Sequence, residues 1–314
     1  MNYLYLLLCL GAIVFSADWL VAGAVTIAKR FKISDFVIGA VIVGVGTSFP
    51  ELVVSSIGAI KGNADIAIGN VVGSNIFNVL GILGLTAMIM PVAVSRENKR
   101  FDLPFCIGVS LLTLLLVFNF FVGGEAGIGR IDGLILLALF AFFMFKSLKG
   151  NKKQEVASDE VVTNKQLALG IVKVLLGLLV LIISSRFFLD NAIEIAKAWG
   201  VNEAFIAITL VACGTSLPEL AASLVAAAKK NTQLALGNVI GSNIFNLTLI
   251  LGAASQIRPL TSAGITAVDY AVMVFAAVAP MILGFKGKLN RWAGALLFLC
   301  FVAYNAYLIS SQVN

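Results

Sequence analysis

Two acidic residues stand where acids are costly. Glu51 and Glu219 each sit in the middle of an apolar run, in Gly44-Val-Gly-Thr-Ser-Phe-Pro-Glu51 and Gly214-Thr-Ser-Leu-Pro-Glu219. An ionised group at the centre of a membrane helix costs roughly 2.5–3.5 kcal/mol on insertion scales and more by simulation. Neither run contains a Lys or Arg to pair with its acid, so the natural partners are cations, or protons in their absence. Helical spacing gathers more oxygen around each carboxylate. Gly44, Ser48, Glu51 and Ser55 are offset by 4, 3 and 4 residues and share one helix face, with Thr47 beside them. In the next apolar run Asn70, Ser74 and Asn78 recur at every fourth position, and the second half repeats both stripes as Thr215, Ser216, Glu219 and Ser223, then Asn238, Ser242 and Asn246.

Proline adds backbone oxygen to this set. Pro50 and Pro218 lack an N–H and disturb the preceding turn, which should free the carbonyls of Gly46 and Gly214. Freed carbonyls in lipid need protein, water or an ion to satisfy them. Carboxylate, hydroxyl, amide and carbonyl oxygens, without sulfur or imidazole, suit hard cations such as Ca²⁺, Na⁺ or Mg²⁺. The chain has no histidine, and Cys9, Cys106, Cys213 and Cys300 are scattered singly through apolar runs. A histidine-based relay or metal centre is therefore excluded, the cysteines read as small buried hydrophobes rather than disulfides or metal ligands, and an enzyme would lack its nucleophile–base pair. No cofactor is expected. Gly69 with Gly73 and Gly237 with Gly241 read as close-packing positions. Asn70, Asn75, Asn238 and Asn243 fit a ligand role and a helix-pairing role equally well. Asp18, Asp190 and Glu194 lie within two to four turns of a helix end, where interfacial water reaches them.

The elements that must position these residues are membrane helices. Hydrophobic residues make up 60 % of the 314 and charged residues 12 %, with a mean hydropathy of +1.02, a composition solvated by lipid rather than water. Apolar stretches long enough to cross about 30 Å of hydrocarbon fall near 2–28, 35–60, 65–90, 102–122, 127–148, 166–197, 203–228, 232–256, 265–285 and 289–310. The first has its basic residues (Lys29, Arg30, Lys32) behind it, the reverse of a signal peptide, so it reads as a retained helix. Sixteen of the 22 Lys and Arg residues fall in alternate connections and four in the others. That bias places both termini outside and the 149–165 segment inside. The net charge of +6 is thus a topology signal and no sign of nucleic-acid binding.

An internal repeat organises the whole. Shifting the chain by 168 residues aligns 16–84 with 184–252 without a gap, and 47–84 matches 215–252 at 22 of 38 positions. Five helices per half is an odd number, so the halves enter the membrane from opposite sides. The expected architecture is an all-α membrane protein of ten transmembrane helices in two inverted five-helix repeats (1–148 and 166–314), joined by a linker at 149–165. Its helices are broken at the centre, where the repeats meet in a midplane site.

At these residues the chain resembles the cation/calcium exchanger superfamily, in particular its prokaryotic Na⁺/Ca²⁺ exchanger branch. The likeness rests on two copies of Gly-Thr-Ser-Xaa-Pro-Glu followed by Gly-Asn-Xaa-Xaa-Gly-Ser-Asn, at 46–51 with 69–75 and at 214–219 with 237–243. The resemblance implies four adjoining cation sites. Glu51 and Glu219, with carbonyls at Thr47 and Thr215, would hold Ca²⁺. Gly44, Thr47, Ser48, Glu51 and Ser74 would form one Na⁺ site, and Ala212, Thr215, Ser216, Glu219 and Ser242 its inverted counterpart. Asn78 and Asn246 match the two middle positions. Many members carry aspartate at one of these, on which the K⁺-dependent subgroup relies, so the paired asparagines imply K⁺ independence. The expected function is Na⁺/Ca²⁺ antiport by alternating access at the cell membrane, with an H⁺/Ca²⁺ antiporter as the alternative. The expected partners are Ca²⁺, Na⁺ and lipid, with no obligate protein partner.

Overall fold

A computed structural model of the protein describes residues 2–118, 127–150, 162–199, 214–261 and 264–313. The chain runs α1 (Asn2–Phe31), α2 (Asp35–Thr47), α3 (Phe49–Ile60), α4 (Ala64–Ile89), β1 (Val92–Ala93), α5 (Asn98–Val117), β2 (Gly127–Ile128), α6 (Arg130–Gly150) and α7 (Asn164–Ala198). It continues through α8 (Leu217–Ala228), α9 (Thr232–Ile257), β3 (Leu260–Thr261), α10 (Ala267–Leu283), β4 (Lys288–Leu289) and α11 (Arg291–Val313). Among the described residues, seven helices are long and apolar enough to cross a membrane, and an eighth span is formed if α2 and α3, bent by 46°, count as one. The apolar helices α8 and α10 are shorter. The first half of the expected seventh span, including Ala212 and Cys213, lies outside the described residues.

α9 is the centre of the bundle, with 94 % of its apolar window buried, followed by α4 at 78 %. The outer helices turn Leu4, Leu7, Leu175, Leu179, Phe145 and Leu299 outward, the apolar surface that a bilayer solvates. Trp292 and Phe285 are exposed near the start of the last helix, the usual place for ring side chains at a lipid–water boundary.

Two short ribbons reveal the symmetry. β1 pairs antiparallel with β4, and β2 with β3. β1 follows the C-terminal end of α4 and meets the start of α9, where the Ala93 N–H donates to Thr232 Oγ1 at 3.3 Å. β3 follows the C-terminal end of α9 and leads to the start of α4, where the Gly264 N–H donates to Asp65 Oδ1 at 3.0 Å. The ribbons therefore cap opposite ends of an antiparallel α4–α9 pair. The 168-residue shift carries β1 onto β3, so superposing the halves turns the molecule over. The repeats are inverted.

Close approach of the repeats depends on glycine. A Cβ on Gly237 would meet the Phe36 carbonyl oxygen at 2.1 Å, and one on Gly241 would meet Ala40 Cα at 2.4 Å. On the facing helix, a Cβ on Gly39 would meet the Leu234 carbonyl oxygen at 2.4 Å. Backbone cannot rotate aside as a side chain can, so α2 and α9 touch only because these positions carry hydrogen. Gly241→Val should force them apart and destabilise the fold by about 1–3 kcal/mol, the usual cost of overpacking. Thermal unfolding in detergent checks this, and an unchanged midpoint would contradict the packing.

Candidate cation site

The site forms where two helices restart. Between α2 and α3, Ser48 takes φ −80° and ψ 9°, and Ser216, before α8, takes φ −93° and ψ 13°. Pro50 and Pro218 fall in the first turn of the following helix, where a missing N–H breaks no helical bond. The spacing suggested one continuous stripe through Gly44, Ser48, Glu51 and Ser55. Instead the chain breaks at Ser48 and redirects that side chain. Glu51 and Glu219 sit in the first turns of α3 and α8, whose unpaired N–H groups and dipoles favour negative charge.

Both glutamates are completely buried, and their hydrogen bonds cross between the repeats. Ser48 Oγ donates to Glu219 Oε1 at 2.9 Å, and Ser216 Oγ donates to Glu51 Oε1 at 2.8 Å. Ser74 Oγ reaches the same Glu51 oxygen at 3.5 Å. The second carboxylate oxygen of each, Oε2, has no hydrogen-bond partner. Gly44 brings its carbonyl into the same region, accepting from Thr47 Oγ1 at 3.4 Å and Ser242 Oγ at 3.3 Å. A Cβ at Gly44 would lie 3.1 Å from the Asn238 carbonyl oxygen, so a larger residue would crowd α9.

Asparagines fix the surroundings in matched pairs. Asn70 Nδ2 donates to the Glu51 carbonyl at 3.2 Å and to Ser55 Oγ at 3.0 Å, while Asn238 Nδ2 donates to the Glu219 carbonyl at 3.1 Å and to Ser223 Oγ at 2.9 Å. Their side-chain oxygens accept from the opposite repeat, Asn70 from Thr215 Oγ1 at 3.4 Å and Asn238 from Thr47 Oγ1 at 3.3 Å. A second set lies deeper. Asn75 and Asn243 each donate to the other's backbone carbonyl, at 3.2 and 3.1 Å. Their side-chain oxygens accept from Asn246 Nδ2 at 3.0 Å and Asn78 Nδ2 at 3.1 Å. Asn78 and Asn246 thereby spend their N–H groups inside the network, and each keeps a buried Oδ1 without a partner.

Four buried oxygens, Glu51 Oε2, Glu219 Oε2, Asn78 Oδ1 and Asn246 Oδ1, are therefore left as acceptors with nothing donating to them. Buried polar atoms are nearly always satisfied, so this set points to a positively charged ligand. The broken helices and asparagine pairs hold it rigidly. Asn75, Asn243, Asn70 and Asn238 act as supports. The sequence contained one signal for that, their recurrence in both halves. Three of the four local widenings to π-helix among the described residues, at Gly39–Gly44, Phe77–Leu83 and Asn246–Ile250, contain Gly44, Asn78 and Asn246, while the fourth, Asn98–Asp102, lies apart. Such turns gather at functional sites, and nothing in the residue spacing announces them. Among the described residues there is no group of three or more His, Cys, Asp or Glu; the ligand set is mixed oxygen.

Asn243→Leu removes the acceptor for Asn78 Nδ2 and the donor to the Asn75 carbonyl. Each buried group so stranded costs about 1–3 kcal/mol, and chemical denaturation in detergent should show the loss. A variant as stable as the parent would contradict the closed network.

Known proteins agree with the geometry. A family model described as sodium/calcium exchanger protein matches residues 1–149 and 169–310. The chain is 36 % identical over 321 residues to the putative antiporter CaxA of Alkalimonas amylolytica, covering 98 % of both. It is 33 % identical to the sodium/calcium exchanger MaX1 of Methanosarcina acetivorans, covering 96 % of this chain and 97 % of that one. The solved structure of the sodium-calcium exchanger NCX_Mj superposes with a TM-score of 0.85 at 32 % identity, over 98 % of each chain. Motifs, inverted fold and relatives converge on one assignment, and the chain belongs to the sodium/calcium exchanger family of membrane antiporters.

Proposed function

We propose that the protein exchanges Na⁺ for Ca²⁺ at the site between the repeats, by alternating access and independently of K⁺. The observation that carries this reading is the pair of buried glutamates, each with one oxygen lacking a donor and neither facing a Lys or Arg in its own apolar run. In this reading Ca²⁺ takes Glu51, Glu219 and the carbonyls of Thr47 and Thr215. One Na⁺ takes Gly44, Thr47, Ser48, Glu51 and Ser74. Another takes Thr215, Ser216, Glu219, Ser242 and Ala212, the last outside the described residues. Asn78 and Asn246 supply neutral oxygens between them.

Two carboxylates match one Ca²⁺ or two Na⁺, and a third Na⁺ would leave one positive charge on the loaded site and make exchange electrogenic. A loaded site is close to neutral and can move against apolar surroundings, whereas an empty one carries two charges with no counter-ion. That difference favours exchange over leak. The antiparallel pair α1–α7 is the moving part, sliding over the rest of the bundle. Its glycines support this role, since a Cβ on Gly177 would meet the Leu20 backbone N at 2.8 Å and one on Gly23 the Gly170 carbonyl at 2.5 Å, so the two helices move as one. The basic connections face the cytoplasm and both termini face outward, following the lysine and arginine bias.

Reconstituted protein should take up Ca²⁺ when an outward Na⁺ gradient is imposed, with or without K⁺. Glu51→Gln and Glu219→Gln should each abolish that uptake. Uptake that follows a pH gradient and ignores Na⁺ would replace this reading with H⁺/Ca²⁺ exchange at the same glutamates. Uptake unchanged in both variants would overturn the site.

A further inference from the structure

The two-fold relation that orders the core fails for α1 and α7. Under the 168-residue shift, Gly46 corresponds to Gly214 and Leu178 to Leu10. Gly46 lies against Leu178, yet Gly214 lies against Leu189 of the same helix, and Leu10 is 45 % exposed. α1 buries Leu20, Val21 and Ala24 in one cluster with Ala222 and Ala226 of α8. On α3, the counterpart of α8, Val53 and Ile57 are exposed, whereas their equivalents Ala221 and Val225 pack against that cluster. Among the described residues, the helix pair therefore sits off the symmetry axis, packing more closely on α8 than on its counterpart α3.

One ion pair marks this displacement. Asp18, expected to reach interfacial water alone, is held by Lys229 at the end of α8, with Nζ 2.6 Å from Asp18 Oδ1 and 3.3 Å from the Asp18 carbonyl oxygen. The symmetric counterparts of Asp18 and Lys229 are Arg186 and Lys61. Both are exposed. If the pair slid to the mirror-image position, the contact equivalent to Asp18–Lys229 would bring Arg186 toward Lys61, two positive charges. The lysine is kept in both halves; the residue facing it changes sign.

We propose that Asp18 and Lys229 form a latch that holds the α1–α7 pair in the described position, and that Arg186 and Lys61 disfavour the mirror-image one. The two access states are thereby made unequal by side chains outside the ion site. This inference rests on alternating access by the α1–α7 pair, as proposed above, and does not depend on which ions are carried. An exposed ion pair is worth about 0.2–1 kcal/mol, which corresponds to a shift of up to about fivefold in the ratio of the two states.

The test reads helix position directly. Spin labels at Leu7→Cys on α1 and Ile131→Cys on α6, both outward-facing, are placed in the full chain with its native cysteines replaced by alanine, in lipid nanodiscs under fixed ionic conditions. Their separation is measured by double electron–electron resonance. Asp18→Asn should move population from the parent distance to a second one by up to about fivefold, and Arg186→Asp should move it the same way by giving Lys61 a partner. The double variant should shift it further. The exchanged pair Asp18→Lys with Lys229→Asp should restore the parent ratio. Identical distributions in the parent, Asp18→Asn and Arg186→Asp proteins, including a single distance in all of them, would overturn the latch, as would a failure of the exchanged pair to restore the ratio. A shifted ratio in protein that fails to exchange Na⁺ for Ca²⁺ would remove the transport assignment and leave the latch standing; normal exchange with no shift would remove the latch alone.

Discussion

The centre of this fold depends on keeping two carboxylates buried in apolar runs that contain no Lys or Arg. Burial of a charge is tolerated when hydrogen bonds and a counter-charge compensate the lost water. Here the protein supplies the first part. Each glutamate sits at a helix start, takes a hydroxyl from the opposite repeat, and has its own backbone carbonyl held by an asparagine. The counter-charge has to come from outside. This is the feature on which the proposed cation binding rests.

The inverted repeat is what makes the two halves of that arrangement meet. Because Ser48 bonds Glu219 while Ser216 bonds Glu51, neither half is a site alone. The same reciprocity governs Asn75 with Asn243 and Thr47 with Asn238, mirrored by Thr215 with Asn70. Close packing of α2 on α9 through Gly39, Gly237 and Gly241 holds these bonds in register. Against this symmetric centre, the displaced α1–α7 pair is the element proposed to differ between states. The proposed alternating access would move that pair around a fixed site at the repeat interface.

Much of this was legible in the residues. Glu51 and Glu219 stood out by cost, their oxygen neighbours by helical spacing, and the inversion by an odd number of spans per repeat. The limits of that reading are equally physical. Helical spacing placed Ser48 on one face with Glu51, and proline marked a break beside it without saying where the serine would turn; its hydroxyl donates to Glu219. Asn75 and Asn243 could not be separated into ligand or support, because only the folded network shows that all their polar atoms are already used. π-Helical turns leave no mark on composition. The off-axis seat of α1 and α7 is invisible to a repeat alignment, since the alignment reports what the halves share. Aligned positions that differ in charge, Asp18 against Arg186, acquired meaning only after Lys229 was found beside one of them.

The most direct measurement is calorimetric titration of Ca²⁺ into the purified protein, with Na⁺ absent and then present, for the parent and for Glu51→Gln and Glu219→Gln. The account predicts one Ca²⁺ bound per chain, displaced by Na⁺, and lost when either glutamate is neutralised. Ca²⁺ binding that persists in both variants, or that Na⁺ leaves unchanged, would contradict it.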